Sequence, residues 1–156
     1  MLKKFILLCG VIFTLSGCIG ENYSVGHPIT TINNGSSSYE LTPIFVAWQT
    51  QGDQTSIDSN VSDRSLPNII VHSDEYITLQ FSDSINDEGE YTDVNIEVFA
   101  VQQDKEQLLY ETTEITSYLE EKHSFTVPNE VGEFLLEVHF SSNSNTAEYV
   151  GRLLVE

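Results

Sequence analysis

One short stretch of the sequence is rich in carboxylates: Asp83-Ser84-Ile85-Asn86-Asp87-Glu88-Gly89-Glu90. Hard cations such as Ca²⁺ take oxygen ligands from several positions of one loop. The candidate calcium ligands are therefore Asp83, Asp87, Glu88 and Glu90. The stretch departs from an EF-hand, because no Asp-x-Asp-x-Asp-Gly frame fits it. A solvated turn in a protein that is acidic throughout is the other interpretation.

Histidines are the second group of candidate ligands, and the sequence holds four of them: His27, His72, His123 and His139. Three histidines on one sheet could bind zinc or copper, because imidazole suits both metals. The residue pattern instead favours histidines that do not form a metal site. His139 alternates with apolar neighbours, which predicts a solvent-facing side chain, and His72 and His123 fall near predicted strand ends.

Catalytic motifs are missing from the sequence. We find no Gly-x-Ser-x-Gly, His-Glu-x-x-His, phosphate loop, dinucleotide fingerprint or Cys-x-x-Cys. Pairs of carboxylates are abundant, but without a cleft they say nothing about glycoside hydrolysis. We therefore expect no enzymatic activity. The net charge of −18 also argues against nucleic acid as a partner, while 40% apolar residues suffice for a folded core.

The first 18 residues have the three parts of a secretory signal: Lys3-Lys4, an apolar run over 5–13, and the small-residue exit Leu15-Ser16-Gly17-Cys18. This quartet resembles the lipobox of bacterial lipoproteins. The resemblance implies cleavage between Gly17 and Cys18 and a diacylglycerol on the Cys18 sulfur. An ordinary secretory signal that happens to end in a cysteine is the alternative.

Processing at Cys18 would change the composition of the chain. It removes residues 1–17, which leaves 24 acidic residues against four basic ones and Cys18 as the only cysteine. A disulfide within the chain is then excluded, so stability must come from burial and backbone pairing. The lipid alone is expected to hold the protein on the membrane, because an acidic surface is repelled by anionic headgroups. The short signal and tether favour an extracytoplasmic, Gram-positive location.

Three segments precede the regular part of the domain. Residues 18–38 are polar and rich in turn-forming residues, which predicts a flexible tether. Residues 39–48 have strand composition, although Pro43 indicates an edge or an irregularity. Residues 49–67 hold few large apolar side chains and predict an unusually long polar loop. The domain is thus expected over 39–156.

Alternating apolar residues then predict seven strands spaced by turns, and so an all-β sandwich. Thr112 to Glu121 is the only stretch with helical spacing, and a crossover loop between sheets is equally compatible with it. The inward-facing sets are Ile69 and Val71; Ile77, Leu79 and Phe81; Val94, Ile96, Val98 and Ala100; Phe125 and Val127; Phe134, Leu136, Val138 and Phe140; and Ala147, Tyr149, Gly151, Leu153 and Val155.

From Asn68 onward this order resembles an immunoglobulin-like or fibronectin-type antiparallel sandwich, with strands A-B-C-C′-E-F-G after one extra N-terminal strand. The closest local match is Val127-Pro128-Asn129-Glu130-Val131-Gly132-Glu133-Phe134, which resembles the E–F corner of such domains. Phe134 replaces the usual tyrosine there, and the B–F cysteine pair is absent. The chain is also similar to small Gram-positive lipoproteins that carry a Trp-containing segment ahead of such a domain.

The sandwich resemblance implies that the B–C and F–G loops share one end. That end would combine the acidic loop 83–90 with loop 141–145, which contains Asn143 and Asn145. We expect it to recognise a protein or polysaccharide of the cell envelope, or to consist of two hydrophilic turns without a partner. Trp48, the single tryptophan, is either a core residue or an exposed anchor; its neighbours Phe45 and Val46 favour the core.

Overall fold

A computed structural model describes residues 26–35, 37–49, 54–63, 65–82, 90–118 and 121–156 of the chain. These residues form eleven strands and one 3₁₀ turn, which confirms the predicted all-β class. The strands are β1 (Ile29–Asn34), β2 (Ser37–Glu40), β3 (Thr42–Gln49), β4 (Gln54–Asp58), β5 (Asn68–Val71), β6 (Tyr76–Ser82), β7 (Glu90–Gln102), β8 (Lys105–Tyr118), β9 (Lys122–Thr126), β10 (Gly132–Ser142) and β11 (Asn145–Val155), with the 3₁₀ turn at Val61–Asp63.

The strands form two sheets that pack as a sandwich. The four-stranded sheet has the order β2-β1-β6-β9, and the larger sheet has the order β4-β3-β11-β10-β7-β8. Strand β5 is the seventh member of the larger sheet and pairs in parallel with the end of β11, while all other pairs are antiparallel. The chain crosses from one sheet to the other at Leu41, which is buried between them.

Six of the seven strands from Asn68 onward pair as expected for the immunoglobulin-like class. Strand β5, in the position of A, is the exception, because it pairs with β11 and not with β6. Strands β6 and β9, in the positions of B and E, are neighbours in the small sheet. Strands β8, β7, β10 and β11, in the positions of C′, C, F and G, are consecutive in the large one. Strand β10 begins at Gly132, as the predicted E–F corner requires.

The core confirms the period-two pattern of these strands. Every large apolar residue of the predicted inward-facing sets is 5% exposed or less, and nine of them are completely buried. Trp48 is 3% exposed and lies in the same core, so the exposed-anchor interpretation of this residue is wrong. Its indole stacks on the Phe140 ring at 6.0 Å and meets the Tyr91 ring edge-on at 5.9 Å.

The N-terminal part contains more strand than expected. The predicted tether over 18–38 is wrong from residue 29 onward, because β1 pairs with β6 and β2 pairs with β1. Thr30 and Ile32 explain the difference, since both face inward and are fully buried. β-Branched threonine favours strands, although its polarity made the segment look like a linker. Residues 18–25, at the start of the predicted tether, lie outside the described residues, as does the predicted signal over 1–17.

Two further predictions are corrected by strand pairing. The polar loop predicted over 49–67 contains β4, which pairs with β3 as an edge strand that is mostly exposed. Neither a helix nor a crossover loop covers 112–118, because β8 continues through Tyr118 against β7. Pro43 lies at a register shift between β3 and β11, so the expected irregularity is confirmed. Strand β3 is not an edge strand, because it lies between β4 and β11, although its pairing with β4 begins only at Phe45.

Candidate functional site

One end of the sandwich gathers most of the residues that the sequence singled out. We call it the Gly26 end, because the described chain begins there at Gly26. Strand β6 ends at Ser82 on this side, β7 begins at Glu90, and the β10–β11 turn lies beside them. The Ser142 hydroxyl donates to the Thr92 carbonyl at 2.8 Å across this end. The strands that flank the predicted B–C and F–G loops therefore share one end.

Asn143 and Asn145 use their side-chain amides to hold this end together. Asn143 has a left-handed backbone (φ 54°), and its amide nitrogen donates to the Thr92 hydroxyl at 2.8 Å. The Asn145 side-chain oxygen accepts the Gln49 backbone N–H at 2.8 Å. These bonds link the turn to β7 and to β3. The two residues thus have a structural role that is sufficient to explain their presence.

Of the four predicted calcium ligands, only Glu90 is among the residues that the structure describes. Asp83, Asp87 and Glu88 lie outside the described residues, and Glu90 is described only as the first residue of β7. The calcium hypothesis therefore stays a prediction. Across the ranges that are described, no three His, Cys, Asp or Glu side chains lie close enough together to hold a metal ion. Gly17 and Cys18 also lie outside the described residues.

Two buried tyrosines hold the first described residues at the Gly26 end. The Tyr91 hydroxyl donates to the Gly26 carbonyl at 3.2 Å, and the Tyr149 hydroxyl donates to the Pro28 carbonyl at 2.5 Å. Burial raises the pKa of Tyr149 well above its usual value, so this hydroxyl stays a donor. We call this arrangement the tyrosine clamp. It fixes where the chain enters the domain.

The sequence analysis missed Tyr91 because the alternation of β7 is interrupted at Asp93. Asp93 has a positive φ of 50°, although Thr92 and Val94 on either side pair with β8 in one continuous register. Side chains alternate between the two faces only where the backbone keeps regular strand geometry, which a left-handed residue breaks. Both Tyr91 and Val94 face the core, although an odd number of residue steps separates them.

The outer face of the large sheet carries a row of acidic side chains around one imidazole. Register places Glu111, Glu97, His139, Glu148, Phe45 and Asp58 side by side across six strands. Glu137 lies on the same face, with its carboxylate 3.8 Å from the His139 ring. The Glu137 carboxylate, helped by Glu148 and Glu97, raises the pKa of His139 against the opposing effect of its partial burial. We call these residues the acidic row.

The acidic row is unfavourable for the fold itself. Glu97 and Glu111 are directly opposite on neighbouring strands, and like charges in that position are destabilising. The predicted outward orientation of His139 is correct, since its side chain is 39% exposed. The outward position could be predicted from alternation in β10, but the neighbours in the row could not, because they depend on the pairing register.

A groove of 450 Å³ lies on the same face, toward the opposite end of the sandwich. Its apolar lining includes Val61 and Leu66, from the segment after β4, and Val101 and Leu135, from the sheet. Arg152 and Glu133 form an ion pair of 3.1 Å at its rim. The exposed Leu108 is next to Phe99 on β7, on the same face as the groove. The large sheet thus presents a mixed apolar and acidic surface.

His123 has a different environment from the surface position that the sequence suggested. It is 4% exposed and faces inward from β9, with Nδ1 3.1 Å from the Tyr110 hydroxyl and 3.8 Å from a Glu114 carboxylate oxygen. Tyr110 and Glu114 belong to β8, so the cluster bridges the edges of the two sheets. Burial raises the pKa of Tyr110. His123 faces the interior from the small sheet, whereas His139 faces solvent on the outer side of the large sheet, which separates them as possible metal ligands.

A scan against protein-family models matches no family, and a search of curated proteins finds no match. Within the described part of the chain, no helix is long and apolar enough to cross a membrane.

Proposed function

We propose that this protein is a lipid-anchored, extracytoplasmic β-sandwich that serves the cell envelope as a non-catalytic binding or structural module. One observation carries the proposal: Leu15-Ser16-Gly17-Cys18 follows a basic and apolar leader and precedes a folded β-domain after a short interval. Two acyl chains on Cys18 would provide stable anchoring, which a single chain does not.

The large sheet supports the binding half of the proposal. Its outer face combines the groove of 450 Å³ with the acidic row, whose like charges are unfavourable for folding alone. A partner with basic side chains would relieve that repulsion and cover Leu108 and Phe99. An envelope protein of this character fits the face, and a polysaccharide that contacts the polar rim of the groove is the other candidate.

Membrane fractionation tests the anchoring half. The wild-type chain should sediment with membranes and resist carbonate extraction, whereas Cys18→Ser should lose its lipid and move to the soluble or secreted fraction. Equal behaviour of the two proteins would overturn the proposal. Cys18→Ser leaves every described residue unchanged, so circular dichroism should show the same β-domain in both.

Photo-crosslinking on intact cells tests the binding half. A photoreactive amino acid at Leu108 or Glu148 lies on the outer face of the large sheet, and one at the exposed Ser38 lies on β2 of the small sheet. We expect a discrete adduct from the first two positions and none from Ser38. Identical patterns from all three positions, or no adduct from any, would contradict a binding role for this face.

A further inference from the structure

We infer that the Gly26 end of the sandwich faces the lipid surface and that the opposite end points away from it. The inference rests on the proposed lipidation of Cys18. The tyrosine clamp provides its structural basis, because Tyr91 and Tyr149 hold the Gly26 and Pro28 carbonyls at this end. The position at which the anchored segment joins the domain is therefore fixed.

The length of the intervening chain limits the possible orientations. Eight residue steps separate Cys18 from Gly26. Even when fully extended, eight residues span at most about 26–29 Å. Strand β10 runs the length of the sandwich with 11 residues, which corresponds to about 34 Å in antiparallel geometry. An inverted domain would need Gly26 at that height or more above the headgroups, which is beyond the reach of the segment.

Neither broad face of the sandwich has a composition that favours lying flat on a lipid surface. The face of the large sheet carries the acidic row, which anionic headgroups repel. Outward side chains of β1, β2, β6 and β9 are mainly threonine, serine, asparagine and glutamine, with Glu40 balanced by Lys122. The small sheet is thus nearly neutral and polar, and the apolar groove of the large sheet lies beside the acidic row. The domain is thus held only through Gly26 and stands on that end.

This orientation changes the interpretation of the sequence-predicted recognition end. Loop 141–145 extends from the Gly26 end, so it faces the membrane and is poorly placed to meet a partner in the envelope. The surface presented outward includes the opposite end, with Tyr76 and Val131 both more than 70% exposed, and the adjoining groove of the large sheet.

Energy transfer to labelled lipid tests the inference on the lipidated full-length protein. Ser144→Cys places a thiol at the Gly26 end, and Glu130→Cys places one at the opposite end; both positions are exposed. The Cys18 sulfur is occupied in the lipidated protein, so each variant carries one reactive thiol. After reconstitution into phosphatidylcholine vesicles with an acceptor on the headgroups, the Ser144→Cys donor should be quenched more strongly than the Glu130→Cys donor.

The outcomes separate this inference from the proposed function. Flotation of the vesicles reports anchoring independently of the label. Protein that does not float would overturn the proposed function and the orientation with it. Protein that floats but shows equal or reversed quenching at the two positions would overturn the orientation alone. A Cys18→Ser version of each labelled variant gives the background transfer from unanchored protein.

Discussion

Replacing Tyr149 with phenylalanine tests the tyrosine clamp by removing one oxygen atom. Tyr149 is 1% exposed, and its hydroxyl donates to the Pro28 carbonyl at 2.5 Å. Tyr149→Phe keeps the ring but leaves a buried carbonyl without its donor, which costs about 1–3 kcal/mol of unfolding free energy. For a domain of this size each kcal/mol corresponds to roughly 3–5 °C in melting temperature.

Urea unfolding of residues 19–156 measures this loss through Trp48 fluorescence, because the indole is buried in the folded state. The midpoint should fall while the slope stays constant, since the surface exposed on unfolding is unchanged. Tyr76→Phe is the matched control: Tyr76 is 74% exposed, so its change should stay within about 0.5 kcal/mol. If Tyr149→Phe were no more destabilising than Tyr76→Phe, the clamp would have no energetic importance and the reasoning would be refuted.

Four other predictions use standard assays. Acrylamide should quench folded Trp48 weakly and the urea-unfolded protein strongly; strong quenching of the folded protein would contradict its 3% exposure. Gly151→Ala should lower the free energy of unfolding by about 1–3 kcal/mol in the same urea assay, because the added Cβ would lie 2.8 Å from a buried Leu41 methyl. An unchanged midpoint would show that the core accommodates the added methyl group without cost. Glu137→Gln should lower the pKa of His139 in an NMR titration, and an unchanged pKa would rule out Glu137 as the cause of the raised value. In the wild type, this histidine contributes stability below pH 6.5, and that stability should be lost as the pH rises through the raised folded-state pKa. On the calcium hypothesis, millimolar Ca²⁺ should raise the melting temperature of residues 19–156 and EDTA should reverse the change, whereas an unaffected melt would dismiss the acidic loop as a site.

Much of the fold could be predicted because its core strands alternate strictly. The buried apolar residues of β6, of β10 and of β7 from Val94 onward recur every second position, and they face a single interior. Strands made of threonine, serine and asparagine were missed, because β1 and β4 carry too few apolar residues to show the period. Strand β8 was misjudged for a related reason: the spacing of Ile115 and Tyr118 also fits a helix.

The candidate surfaces were harder to predict than the core. His139 could be assigned to the outer face from its own strand, but Glu97 and Glu148 become its neighbours only through the pairing of three strands. His123 shares the parity of Phe125, which was a usable signal for its burial. Its contacts with Tyr110 and Glu114 depend on how the two sheet edges meet, and no local pattern specifies that.

The intact mass of the detergent-extracted protein tests the central claim most directly. We expect the mass of residues 18–156 plus a diacylglyceryl group on Cys18, and the Cys18→Ser variant should lack the lipid mass. A wild-type protein with a free Cys18 thiol, or with its first residue at any other position, would contradict the lipid anchor and the orientation that depends on it.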